Sequence, residues 1–581
     1  MTVDQARVAL RPWHRQVPIG VVLGLIFCVG ILPVALDLAQ PHGLYGLTEY
    51  DDGVYFAAAQ RLIAGVFPYK DFVLVQPPGI TVVLSPFAAL SHLVGGRHAL
   101  GAARIFTAIV AGANAALVGY LLRRRGLLAM AIGGLALAVF PTAYTAGHTF
   151  LLEPYCVLFC LIGACFVFAS DEIASSRRCL VGGLFFGLAG SVKVFAIAPI
   201  LVIFAILAFS YRKEAIRFAE GISVSLAVFV LPFLIMAPSG FIHDVISTQL
   251  NRSTQTPTPF LNRLFAVTGL AYASPGLEAV SLNGPIPSLP AGAGPTWAAS
   301  GGIAGVIAIL AVRLGWRSER RPFAWFIVAS AILGVAICLI PSVYYDHYAY
   351  FSAPFLALAL GAGVGLAARG VRTTAKRLAL TRQGAVWQIL TVGTIALICA
   401  GVVGADLPST ASQKTIMDKF GDVGPAIAAM VPPGACTISD AESLLVSAGR
   451  SDIGPPGCPA IVDTTGMWLS IDPLHPVSVR TGIAYADDPT YKDPKLVAIW
   501  RSAFEVADYV VLSGVCATRI PWTPPLSRYF DTHYTQMSGP YGNVFRRGPP
   551  TTLAEHPTIR FSCAATKTAT TDKAAAIRSG R

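Results

Sequence analysis

Charge is what this chain has least of. Only 13% of its 581 residues are Asp, Glu, Lys or Arg, where a soluble protein has about a quarter. That scarcity excludes an ordinary soluble domain. With 54% hydrophobic residues, the composition is that of a polytopic α-helical membrane protein. Acid is scarcer than base, 31 residues against 43, so the net charge is +12. The basic residues stand in short clusters between apolar runs, without a basic face interleaved with aromatics. Nucleic acid is therefore excluded as a partner, and the bilayer takes its place. Histidine pairs are missing beside the widely spaced cysteines, which argues against zinc. No internal repeat marks a solenoid or an inverted-repeat transporter. No small-residue cleavage site follows the first apolar span, so that span reads as an anchor.

The clusters orient the chain. Arg7, Arg11 and Arg15 precede the first span, 17–39, and leave a cytoplasmic N-terminus over 1–16. Arg123–Arg125, Arg177/Arg178, Arg212/Lys213/Arg217, Arg313/Arg317/Arg320/Arg321 and Arg369–Arg382 are expected on the same side. Spans fall between them at 100–122, 127–145, 150–170, 180–192, 194–209, 219–237, 298–314, 323–341, 348–368 and 385–405. The 180–192 and 194–209 segments are short for a crossing of about 20 residues, so they read as two short helices meeting near Lys193. Residues 72–94 are apolar enough to cross but contain Pro77, Pro78 and Pro86. A crossing there would also put Arg123–Arg125 outside, so the segment reads as a juxtamembrane or re-entrant helix. About 11 spans result, with the transmembrane part over 17–405, outer loops at 40–99 and 238–297, and the C-terminus outside.

Residues 406–560 change character. Strand-like runs, Cys436–Ser439 and Tyr509–Leu512, alternate with helix-like ones, Ala441–Ala448 and Pro494–Ala507, which predicts a small extracytoplasmic α/β domain. The Thr- and Ala-rich tail over 561–581 reads as disordered. Seven of the 11 cysteines lie in or beside spans; Cys436, Cys458, Cys516 and Cys563 fall outside, where disulfides persist. Cys436 and Cys458 flank one α/β segment and are expected to pair, with Cys516 and Cys563 as a second pair.

Chemistry concentrates just after the first span. Glu49-Tyr50-Asp51-Asp52-Gly53 sets adjacent carboxylates at a membrane surface, where desolvation demands water, a cation or a substrate beside them. Val75-Gln76-Pro77-Pro78-Gly79, Glu153-Pro154, Lys193 and Tyr345-Asp346-His347-Tyr348 all fall on the same side by this topology. Each has a plainer reading. An Asp-Asp-Gly is a turn signal; Glu153 would suit a helix N-terminus; Lys193 would snorkel to the interface; and His347 would sit in an aromatic belt.

Taken in order, Asp51-Asp52-Gly53-Val54-Tyr55-Phe56, Gly65–Phe72, Gln76-Pro77-Pro78, Glu153-Pro154, Gly190-Ser191-Val192-Lys193 and His347-Tyr348 before Ser352–Leu358 resemble the GT-C superfamily. These are integral membrane glycosyltransferases that use polyprenyl-phosphate sugars, and the likeness is greatest to the aminoarabinose and protein-mannosyl transferase group. It covers roughly residues 45–365, with Gln76 where many relatives have a charged residue and Glu153 in place of Asp. The resemblance implies a GT-C-like bundle in the plasma membrane. It implies transfer of a sugar from a lipid-phosphate donor to an envelope glycan, lipid or protein at the outer face, with inversion.

Such a transfer needs a base for the acceptor hydroxyl and a positive group for the departing phosphate. Asp51 is the expected base, and Asp52 orients it or helps hold a cation. Lys193 and His347 are the expected phosphate groups, with Glu153, Tyr345 and Gln76 as further substrate residues. No cofactor is required by these residues, and a divalent cation on Asp52 and Glu153 stays open. A secondary transporter or a lipid-linked sugar flippase would also explain spans and intramembrane charges, but polar residues at the midplane would then be expected.

Overall fold

The computed structural model describes residues 18–47, 49–169, 171–251, 260–269, 321–341, 344–377, 421–471, 493–514, 517 and 519–548. The expected spans at 298–314 and 385–405, Cys516, Cys563 and the tail lie outside the described residues.

Up to Arg377 the described residues are mainly helical. α1 (Ile19–Leu38) leads to α2 (Asp51–Ile63), α3 (Gly79–Val94), α4 (Gly96–Leu122), α5 (Leu127–Ala138), α6 (Pro141–Gly147) and α7 (Leu152–Val167). A two-stranded hairpin, β1 (Phe168–Ala169) and β2 (Glu172–Ile173), turns the chain into α8 (Ser176–Val192), followed by α9 (Ile197–Ser210) and α10 (Arg212–Phe229). After several short helical turns come α11 (Pro322–Leu339) and α12 (Ala349–Arg377). Among the described residues, four segments, Ile19–Leu38, Gly96–Arg125, Pro322–Leu339 and Ala349–Leu366, are long and apolar enough to cross a bilayer. Ile19, Val21, Leu25, Leu32 and Leu36 on α1, and Trp325, Ile332, Leu333 and Ile340 near α11, are exposed. Such apolar surface is unfavourable in water and is satisfied by lipid chains.

Proline and extended backbone set several boundaries. Lys193 is extended, with φ −150° and ψ 133°, between α8 and a turn of 3-10 helix at Val194–Ala196. Helix α3 has 16 residues and is preceded by Pro77-Pro78, with Pro78 already at φ −74° and ψ −8°. The 219–237 segment is a helix that begins at Arg212 and breaks before Pro232. The start of the 238–297 loop is helical rather than irregular, with turns at Pro238–Phe241, Ile242–Ser247, Thr248–Asn251 and Phe260–Val267. Asp244 there accepts from the backbone N–H of Leu74, which ties this loop to the α2–α3 connection.

Between residues 421 and 548 the described residues build a four-stranded sheet in the order β3 (Thr437–Ser439), β4 (Tyr509–Val511), β6 (Val544–Arg547), β5 (Tyr534–Gln536). β3 and β4 are parallel, with Ile438 beside Val510; the other pairings are antiparallel. Trp468, Trp500, Phe504, Trp522 and Phe530 fill a core of their own. Cys436 and Cys458 are bonded, their Cα atoms 5.5 Å apart.

This segment seats on α2, through α13 (Glu442–Ala448). Arg61 pairs with Glu442 at 3.3 Å, Ser451 donates to Gln60 at 2.5 Å, and Arg97 at the start of α4 pairs with Asp422. Packing here leaves no room: a Cβ on Gly53 would stand 2.2 Å from the backbone nitrogen of Ser443. Gly53→Val should therefore unseat the segment. Limited proteolysis of the variant should cut 421–548 at least about tenfold faster, since exposure follows the opening equilibrium and about 1.4 kcal/mol is a factor of ten. Unchanged cleavage would show that the seating tolerates the change.

The opposite end of α4 is basic. Arg125 and Arg321 both reach Asp171, at 2.6 and 2.9 Å. Arg97 and Arg125 are 28 residues apart along one helical run, about 40 Å at 1.5 Å per residue. Acid-rich and arginine-rich ends thus lie a bilayer's width apart.

Candidate functional site

Asp51 opens α2, in a first turn where the positive end of the helix dipole favours a carboxylate. It is half-buried, and the phenol of Tyr55, one turn on, donates to its Oδ2 at 3.4 Å. Asp52 points the other way and is buried. Its Oδ2 accepts from Arg104 Nη2 at 2.6 Å and from Thr149 Oγ1 at 2.9 Å. Arg104 also donates to the carbonyls of Leu44 and Gly46, each at 2.9 Å. One carboxylate of the pair therefore ties α2 to α4 and to the connection leading into α7, and the other faces outward.

The second group forms where three helix ends meet. Glu153 lies in the first turn of α7, Lys193 in the break between α8 and α9, and His347 in the 3-10 turn Asp346–Tyr348 ahead of α12. Lys193 Nζ pairs with Glu153, and His347 Nε2 is 3.8 Å from the same oxygen. The ammonium also lies 3.9 Å from the ring centre of Tyr348 and 4.6 Å from that of Phe195, within cation–π reach. Glu153 and Lys193 are buried, while the His347 side chain is 16% exposed and is the member open to solvent. The other carboxylate oxygen of Glu153 is buried with no hydrogen-bond partner. Tyr345 stacks on His347 with ring centres 5.5 Å apart, and touches the core of the C-terminal segment. Gln76 is half-buried, and its backbone carbonyl accepts from Tyr69 at 2.6 Å.

Tyr55 links the groups. The charges of Asp51, Glu153 and Asp463 all act on its phenol, which burial has already pushed up. Asp463 belongs to the C-terminal segment. Its Oδ1 accepts from the backbone N–H of Gly466 at 2.7 Å and from Tyr50 at 3.3 Å. Burial pushes its carboxyl up to about 6, with the charge of Asp51 adding to the rise and the Gly466 N–H opposing it. So the structure brings Asp51, Glu153, Lys193 and His347 to one region of the bundle and adds a carboxylate from 412 residues further along.

No family model matches the chain, and no curated protein does. Among solved structures, ArnT from Cupriavidus metallidurans in the apo state aligns with a TM-score of 0.55 at 15% identity, covering 90% of this chain and 98% of that one. The same protein bound to undecaprenyl phosphate gives 0.52 at 17% identity, with 86% and 94% covered. The chain shares the fold of these solved structures. It is a membrane architecture, in keeping with the four long apolar helices.

Within this bundle, three residues of the site carried signals of unequal strength. Arg104 stands alone among apolar residues of the 100–122 span, and a charge inside a span is itself a pointer to function or to a buried partner. Thr149 and Asp463 carry no such signal, because nothing in local pattern records a contact between distant parts of the chain. The cation considered for Asp52 and Glu153 meets a protein cation in each place, Arg104 and Lys193. Among the described residues, no three His, Cys, Asp or Glu side chains come together as a metal site.

The clasp at Glu442 has a pH consequence. Burial pushes its carboxyl up to about 7, with Arg61 pulling it back. A folded-state value above the ordinary carboxylate value means that folding binds a proton between the two. This contribution to stability is full below about pH 4.5 and is lost as pH rises through about 7. Glu442→Gln should remove that part of the slope when apparent melting temperature is followed from pH 5 to 8. An unchanged slope would assign it to another group.

Proposed function

We propose that this chain is a membrane glycosyltransferase that moves a sugar from a polyprenyl-phosphate donor to an envelope glycan, lipid or protein. The observation that carries this reading is the pairing of a half-exposed carboxylate, Asp51, with a cation-bearing cluster, Glu153–Lys193–His347, at one end of a GT-C bundle. The solved structure of similar fold that was crystallised with undecaprenyl phosphate supports a lipid-phosphate donor. In this reading that end faces outward, because the arginine-rich end, with Arg125 and Arg321, is the cytoplasmic one. Residues 406–560 then form an extracytoplasmic domain.

Asp51 takes the proton of the acceptor hydroxyl as its oxygen attacks the anomeric carbon. Tyr55 holds that carboxylate, and Asp52 anchors the start of α2 through Arg104 and Thr149. The bond to the phosphate oxygen breaks with inversion, and negative charge grows on the leaving group. Lys193 stabilises it, oriented by Glu153, while His347, at the open edge, meets the phosphate first. Tyr345 and Gln76 border the donor.

The test is direct. Purified protein is given undecaprenyl phosphate and its binding followed by native mass spectrometry; transfer is then assayed with a panel of polyprenyl-phosphate sugars and envelope extract. Retained lipid and a new inverted linkage are expected. Failure to bind undecaprenyl phosphate would overturn the donor class.

A further inference from the structure

Parallel strands in open α/β sheets present ligand sites at their carboxyl ends. Here the carboxyl ends of β3 and β4 lead into Asp440 and Ser513. Asp440 is fully buried and accepts from Ser513 twice, from the backbone N–H at 2.7 Å and the hydroxyl at 2.5 Å. Arg519 lies over this end. Its Nη1 is 4.0 Å from Asp440, an ion pair too long to be a hydrogen bond, and its buried Nε has no acceptor among the described residues. A buried N–H left unpaired is costly, so a bound oxygen acceptor would be favoured there.

The position of this guanidinium is set from the other side. Its carbon lies 4.4 Å from the ring centre of Tyr50, the residue immediately before Asp51. Tyr50 is itself held on three sides, by Asp463 at 3.3 Å, the Thr464 hydroxyl at 2.8 Å and the Thr465 N–H at 3.0 Å. An arginine from a different part of the chain therefore lies over the residue that precedes the proposed base.

We propose that Arg519 binds the sugar acceptor, its N–H groups donating to hydroxyl and ring oxygens of a glycan whose attacking hydroxyl lies over Asp51. This rests on the transferase reading. As the hydroxyl oxygen bonds to the anomeric carbon, its proton passes to Asp51. The departing phosphate oxygen keeps the electron pair of the broken bond. The donor phosphate is a poor occupant, because Asp440, Asp463 and Asp51 would all repel it. A neutral sugar meets no such cost and can return a hydrogen bond to the half-buried Asp51. The C-terminal segment is then half of the acceptor site rather than an appendage.

The full-length protein in detergent is the sample. Saturation-transfer NMR is run with the methyl glycosides of glucose, galactose, mannose and arabinose, and undecaprenyl phosphate binding is followed in parallel. At least one glycoside should bind wild type, and Arg519→Gln should weaken it by about tenfold or more, the loss expected for a charged hydrogen bond. Arg519→Lys should keep part of the affinity, since charge remains while the planar fork is lost. If Arg519→Gln fails to fold, Arg519→Lys against wild type decides. Undecaprenyl phosphate should bind wild type and Arg519→Gln alike.

The inference is overturned if no glycoside binds, if the Arg519 variants bind glycoside as tightly as wild type, or if Arg519→Gln loses undecaprenyl phosphate. Wild type that binds a glycoside but not undecaprenyl phosphate would sink the donor assignment alone and leave the sugar site standing.

Discussion

Asp51→Asn should lower sugar transfer by about two to four orders of magnitude, the usual range for loss of a general base. The amide keeps the shape and the contact with Tyr55 but cannot accept the proton. Donor binding should survive, because Asp51 belongs to α2 while the phosphate groups are on α7, the α8–α9 break and the turn before α12. The fall should therefore appear in kcat with little change in KM for the donor. Asp52→Asn should fail differently. It strips a buried charge partner from Arg104, and breaking such a pair costs about 3–5 kcal/mol, so loss of fold and loss of transfer should go together. Near-normal turnover in Asp51→Asn would show that α2 merely begins with a capped turn.

Lys193→Ala should be the most damaging change at the phosphate side, for two separable reasons. It removes the cation proposed to meet the leaving phosphate, and it leaves Glu153 buried and unpaired. The second effect alone costs about 3–5 kcal/mol. Lys193→Met with Glu153→Gln removes both charges at similar volume and should restore much of the stability lost in Lys193→Ala. It should still lose undecaprenyl-phosphate affinity by tenfold or more, as expected when about 1.4 kcal/mol or more of charged contact is removed. His347→Ala should add a smaller loss, non-additive with Lys193 if one phosphate touches both. A double variant that binds the lipid as tightly as wild type would reduce the Glu153–Lys193 pair to a structural strut.

Helical membrane character was legible because composition and the spacing of basic clusters report directly on the solvent that each segment needs. The break at Lys193 was readable as well, since two apolar runs too short to cross imply an interruption between them. Residues 437–439 and 509–511 declared themselves through β-branched and aromatic residues bounded by turns. Nothing local recorded which strand neighbours which.

The sequence by itself determined that the chain lives in a membrane, where its helices break, and which residue types are too polar to lie there without a purpose. Its arginine clusters led to the expectation that Asp51, Glu153, Lys193 and His347 share one membrane side. Only the tertiary structure decided which partners those residues have. Asp51 and Asp52 are adjacent in the chain, but successive residues on a helix point about 100° apart. That difference sends one carboxylate toward Tyr55 and buries the other on Arg104. Lys193 and Glu153 looked like independent charges until packing of α7 against α8 put them in contact. Asp463 and Arg519 entered the site through a seating surface whose partners are several hundred residues apart, a relation that only burial and shape complementarity can encode.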